Sequence, residues 1–117
     1  MSRPELRAEL DAALYALREI RKLVSEGGRD GFDASEDRRR AIAWCWVAAG
    51  SALKHYAQTS GTPQGQPPLA PPIRFRDRLA HQRLDKLDAD LLWETSVRET
   101  PDLLRIIEQL RDQLAAE

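Results

Sequence analysis

Ala41-Ile42-Ala43-Trp44-Cys45-Trp46-Val47-Ala48-Ala49 is apolar at every position. A helix here is apolar all round, and such a helix is buried on every side. A small bundle buries only one side of each helix. At about 100° per residue, Trp44 and Trp46 point about 200° apart, so one core does not hold both. The seam facing the bundle is Ile42, Trp46, Ala49, Leu53 and Tyr56. The second face carries Trp44, Val47 and Ser51, and it is read as the contact with another subunit. The alternative is a single exposed tryptophan, which is common on protein surfaces. Ala48-Ala49-Gly50-Ser51-Ala52 is small enough for another helix to approach closely.

Working upstream, Asp33 or Ser35 is the expected N-cap of this helix, which runs to about Tyr56 or Thr59. Gly31 to Asp33 reads as a turn. Residues 2–25 read as a first helix. Ser2-Arg3-Pro4-Glu5 has the pattern of a capping box. Leu6, Leu10, Ala13, Leu17, Ile20 and Val24 follow at steps of four and three, one apolar seam along the whole helix. Gly27-Gly28 stops it.

Downstream, residues 60–72 hold five of the seven prolines and read as a loop. A short basic helix follows, Arg74-Phe75-Arg76-Asp77-Arg78-Leu79-Ala80-His81-Gln82-Arg83. Asp88 is then the expected cap of a helix containing Leu91, Leu92 and Trp93. Thr100-Pro101-Asp102 reads as a further helix start, with Leu103, Ile107, Leu110 and Leu114 as the seam. The fold class is therefore all-α: an antiparallel bundle of four to five helices in one domain spanning residues 1–117.

Composition limits what such a bundle does. A 42% apolar content is too high for a disordered chain, even with 32% charged residues. The net charge of −1 gives no global pull toward nucleic acid or membrane. The charge is uneven, however. Residues 73–86 carry five cations against Asp77 and Asp85, a net +3, so the remainder carries −4. The single cysteine, Cys45, rules out an intrachain disulfide and a cysteine-based metal site. No apolar run approaches the roughly 20 residues that span a bilayer. The opening Met-Ser-Arg-Pro-Glu-Leu has no apolar signal region, so a reducing cytoplasm is the expected compartment. His55 lies on a polar side and is assigned no role.

The chemistry concentrates in residues 74–83. Arginine presents a planar fork of donors to phosphate oxygens and keeps its charge. Histidine can take a proton from a hydroxyl or give one to a leaving oxygen near neutral pH. RNA carries its own nucleophile, the 2′-hydroxyl, so a base, an acid and a charge stabiliser suffice to cut it without metal. On a straight helix Arg76 and His81 lie about 140° apart. Either the helix ends near His81 and the ring turns back, or Arg76 reaches round. Asp77, four residues before His81, could orient the imidazole. The same residues also suit an amphipathic helix with a solvated charged face over Ile73, Phe75 and Leu79.

Arg76-Asp77-Arg78-Leu79-Ala80-His81 resembles the Arg-x4–6-His motif of HEPN domains, and within them the HepT-like family. Asp88, Leu91-Leu92-Trp93, Pro101, Leu103-Leu104 and Ile107 extend the resemblance downstream. Gly50 and its helix fit it upstream. The match covers most of the chain, and residues 75–110 carry nearly all its specificity. It implies a HEPN-type homodimer with two Arg-His motifs facing a shared cleft. It also implies a toxin acting as a metal-independent endoribonuclease without cofactor, held in check by a cognate nucleotidyltransferase antitoxin. In the family's roles Arg76 binds the scissile phosphate, His81 transfers protons and Asp77 is the polar residue after the motif arginine. Arg74, Arg78 and Arg83 would add phosphate affinity. Many relatives have a tyrosine two residues after the histidine, which the partner adenylylates. Arg83 stands there instead, so that modification is impossible at this position, and neither Tyr15 nor Tyr56 matches it. This leaves a partner that blocks the cleft without modification, no such partner, or a member that binds RNA or a nucleotide without cutting.

Overall fold

A computed structural model describes residues 3–62 and 68–116. Helix α1 (Arg3–Ser25) is followed by α2 (Gly28–Ala34), α3 (Glu36–Ser60) and α4 (Ala70–Ala80). A 3₁₀ turn (Leu84–Lys86) leads to α5 (Ala89–Ala116). The described residues contain no strand, so the all-α expectation is borne out.

The apolar seams account for the packing. Leu10, Ala13, Leu17 and Ile20 of α1 are buried, with Leu6 and Val24 packed at the ends of the stripe. The α3 seam, Ile42, Trp46, Ala49, Leu53 and Tyr56, is buried throughout. Helix α5 contributes Leu92, Leu103, Leu104 and Ile107. Each fully buried leucine or isoleucine contributes about 1.5–3 kcal/mol, so these stripes dominate the fold. Charged pairs report the orientation of the helices. Glu9 meets His55 (3.1 Å) near one end of α1, and Glu26 meets Arg38 (3.9 Å) near the other, so α1 and α3 are antiparallel. Asp11–Arg111 (3.2 Å) and Arg18–Glu108 (3.3 Å) show the same for α1 and α5. At about 1.5 Å per residue the 28 residues of α5 nearly match the 46 Å long axis of the molecule. Among the described residues no helix is long and apolar enough to cross a membrane.

Four local expectations are corrected. Gly31 to Asp33 is part of helix α2 and not a turn. Phe32 is buried against Trp93 with ring centroids 5.1 Å apart, and Arg39 donates to the carbonyls of Phe32 and Asp33. This tertiary support forms a helix where two glycines argue against one. Gly27 and Gly28 do end α1, at φ 77° and 59°. Of the two candidate caps of α3, Ser35 is the one used: its hydroxyl accepts from the Arg38 amide, while Asp33 pairs with Arg29.

The second correction concerns proline. Pro71 and Pro72 open α4 instead of ending a loop. The first amides of a helix have no intrahelical acceptor, so prolines there lose nothing. The third is that Thr100-Pro101-Asp102 starts no helix, because α5 runs through it. The proline leaves the Val97 carbonyl without its usual donor, but Val97 is exposed and water can reach it. The buried stripe Leu92, Ser96, Thr100, Leu103, Ile107 passes straight through the proline and fixes the continuity. Asp88 does cap α5, its side chain accepting from the Leu91 amide at 3.0 Å. The fourth concerns Gly50: the helix that approaches it closely is α4 of the same chain. Ser2, and with it the predicted capping box, lies outside the described residues.

Candidate phosphate-binding and proton-transfer site

Helix α4 is held down on one side by apolar residues. Ile73 is buried, and Phe75 meets the edge of Trp46 at 5.4 Å and 84°. Trp46 is itself fixed, donating its indole N–H to the Ser96 hydroxyl at 2.8 Å inside the core. Glycine at position 50 lets α4 lie against α3. A Cβ built there would stand 2.1 Å from the Arg76 Cβ and 3.0 Å from the Pro72 carbonyl oxygen.

That contact sets the motif arginine. The Arg76 Nε donates to the Ser51 hydroxyl at 3.0 Å, and Nη1 donates to the Asp77 carboxylate at 2.9 Å. Lys54, one turn beyond Ser51, brings its ammonium to 3.7 Å from the same carboxylate oxygen. The Arg76 hydrogen bond chiefly holds the Asp77 carboxyl below the usual carboxylate range. Partial burial opposes this, and the charges of Lys54, Arg76 and His81 add to it. Asp77 is therefore an anion at neutral pH, shared between two cations.

His81 is the C-cap of α4, with φ −98° and ψ −2°, and its amide donates to the Asp77 carbonyl at 3.3 Å. The helix does end at His81, but no hydrogen bond joins its ring to Arg76 among the described residues, because Arg76 reaches to Ser51 and Asp77 instead. The imidazole is exposed, and among the described residues it has no hydrogen bond to Asp77, whose carboxylate is turned to Arg76 and Lys54. At about 100° per residue, Arg74, Arg78 and His81 fall within about 60° of one another, and Arg76 is turned about 140–160° away from them. One α4 thus presents two polar faces. Arg74 and Arg78 are exposed and have no ion-pair partner among the described residues. Arg74 borders a cavity of about 260 Å³ beside Trp46, Pro72, Glu99 and Leu103. Arg83 is exposed and paired with Asp85 at 3.0 Å.

The second face of α3 is open in the chain. Trp44 is 71% exposed and lines an apolar groove with Ala43, Val47, Leu79 and Leu87, rimmed by Arg40 and Arg83. The groove begins beside the histidine end of α4. Ser51, placed by its spacing on the same face, is half-buried and engaged by Arg76. Among the described residues no group of three or more His, Cys, Asp or Glu side chains is placed to hold a metal ion.

Sequence reasoning passed over Lys54 and the bond of Ser51 to Arg76, and it read Gly50 as a point of close helix approach without identifying α4 as that helix. Their signal was present: positions 50, 51 and 54 share one side of α3 at helical spacing. It could not be read without knowing that α4 packs there.

The chain is thus a helical bundle whose short basic helix ends on a histidine, with Arg76 held against α3 on another side of that helix. The family model of HepT-like ribonucleases matches residues 13–110, and the chain belongs to that family. No curated protein and no solved structure matches it.

Proposed function

We propose that the chain is a metal-independent endoribonuclease of the toxin–antitoxin kind, acting on RNA in the cytoplasm. The observation that carries the reading is the Arg76 guanidinium, held at Nε by Ser51 and at Nη1 by Asp77, on the helix that ends at His81. A fixed guanidinium suits a phosphodiester whose charge grows during attack. In the reaction a base accepts the proton of the RNA 2′-hydroxyl, and the oxygen attacks phosphorus. The bond to the 5′ oxygen breaks, and an acid returns a proton to it. The products are a 2′,3′-cyclic phosphate and a 5′-hydroxyl.

One chain supplies one His81, turned away from its own Arg76. Two copies supply two imidazoles, enough for one base and one acid. The homodimer is proposed to form through Trp44 and Val47, with Ser51 at the border between interface and site. The exposed Trp44 beside an apolar groove that runs up to the histidine end of α4 supports this. Arg74, Arg78 and Arg83 provide further phosphate contacts. The restraining partner is proposed to be a cognate nucleotidyltransferase that covers the cleft, since Arg83 offers no hydroxyl to modify.

Arg83 also favours a second reading, a catalytically silent module that binds RNA, a nucleotide or a partner. The two separate in one experiment. Purified wild type, Arg76→Ala and His81→Ala are incubated with a tRNA pool and total RNA in EDTA. The ribonuclease reading expects cleavage to cyclic-phosphate ends by wild type alone. Salt-sensitive binding without cleavage by any of the three would establish the silent module. A Trp44→Asp variant that sediments as a monomer and no longer cuts would support the dimer cleft, and one that remains a fully active dimer would contradict it.

A further inference from the structure

We infer that Ser51 is the positioning residue for Arg76, setting the direction of its guanidinium before substrate arrives. The inference rests on the ribonuclease reading and deepens it. An arginine on an exposed helix face samples many rotamers, and that freedom is lost when it binds a phosphate. Arg76 is constrained in advance. Gly50 brings the α4 backbone onto α3, because any larger residue would collide with the Arg76 Cβ. Ser51, the next residue, then presents its hydroxyl 3.0 Å from Nε. Asp77 takes Nη1 at 2.9 Å from the other side. With Nε and Nη1 occupied, Nη2 is the one guanidinium nitrogen without a partner among the described residues. The hydroxyl and the carboxylate do different work. Asp77 also pairs with Lys54 and tunes charge, whereas Ser51 is neutral and fixes only the plane and reach of the guanidinium. Preorganisation of this kind acts on the transition state more than on ground-state binding.

The test compares wild type, Ser51→Ala and Ser51→Thr on a defined RNA in EDTA, together with the exchange behaviour of the Arg76 Nε–H by NMR. The resonance is assigned by its loss in Arg76→Lys. Ser51→Ala is expected to lower kcat about 10- to 100-fold with KM changed less than about threefold. Ser51→Thr keeps the hydroxyl and should recover most of kcat. The Nε–H should be slow to exchange in wild type and in Ser51→Thr, and fast in Ser51→Ala. If wild type cuts RNA and Ser51→Ala cuts with the same kcat, the positioning role is overturned while the ribonuclease reading stands. Wild type that leaves RNA intact overturns both. Should Ser51→Ala fail to fold, a fast-exchanging Nε–H in wild type, or a Ser51→Thr variant no better than inactive, still overturns the inference.

Discussion

Helices α1 and α4 are both amphipathic and both rest on α3, yet they use their charges in opposite ways. Helix α1 buries a continuous stripe, and its ion pairs to α5, Arg18–Glu108 and Asp11–Arg111, sit in solvent. Exposed pairs of this kind contribute roughly 0–1 kcal/mol. Helix α4 buries few apolar residues and turns an arginine and an aspartate toward α3, where Ser51 and Lys54 meet them. The long helix is organised for stability. The short one also packs Ile73 and Phe75 on the core, and it holds the Arg76 guanidinium between Ser51 and Asp77.

Breaking each helix separately sharpens that contrast. Leu17→Ala removes a fully buried side chain from α1 and is expected to lower unfolding free energy by about 2–5 kcal/mol. Denaturant titration measures it, and cleavage per folded molecule should be unchanged. Gly50→Ala forces α4 away from α3, because its Cβ would meet the Arg76 Cβ. Overpacking predicts a loss of about 1–3 kcal/mol, here accompanied by a fall in cleavage at temperatures where the variant is folded. Ser96→Ala strips the acceptor from the buried Trp46 indole and should cost about 1–3 kcal/mol in the same titration. Arg18→Ala should stay within about 1 kcal/mol of wild type.

A pH series separates the two helices further. A carboxyl depressed by its partners contributes stability above its unfolded pKa and loses it as pH falls through the folded value. Asp77 is depressed, mainly by Arg76, so the difference in stability between wild type and Asp77→Asn should hold from neutrality down to about pH 4 and shrink below it. A difference that vanished already near pH 6 would mean that the Asp77–Arg76 bond does not persist in solution.

The parts of this molecule that the sequence makes legible are those set by periodicity. The stripes of α1 and α3 follow from steps of three and four, because a buried stripe must repeat with the helix. The misreadings all come from local signals that packing overrides. Thr100-Pro101-Asp102 has the chemistry of a helix start, but the buried stripe of α5 continues through it. Two glycines argue against α2, but Phe32 finds Trp93 and Arg39 caps the last carbonyls. The motif itself was visible as Arg76, Asp77 and His81. Its support was not, since Ser51 and Lys54 lie 25 and 23 positions from Arg76 and Asp77 and meet them only across the α3–α4 contact. Spacing along one helix also identified Asp77 as a neighbour of the imidazole, whereas its carboxylate meets Arg76 of the same helix and Lys54 of α3.

The most direct test of this division is to measure unfolding free energy and RNA cleavage in EDTA on the same preparation of His81→Ala beside wild type. The imidazole is exposed at a helix end with no hydrogen bond among the described residues, so stability should stay within about 0.5 kcal/mol. If His81 transfers protons as proposed, its loss should lower cleavage by about 10²- to 10⁴-fold. A variant that cuts RNA at the wild-type rate, with stability unchanged, would contradict the assignment of α4 to phosphodiester chemistry.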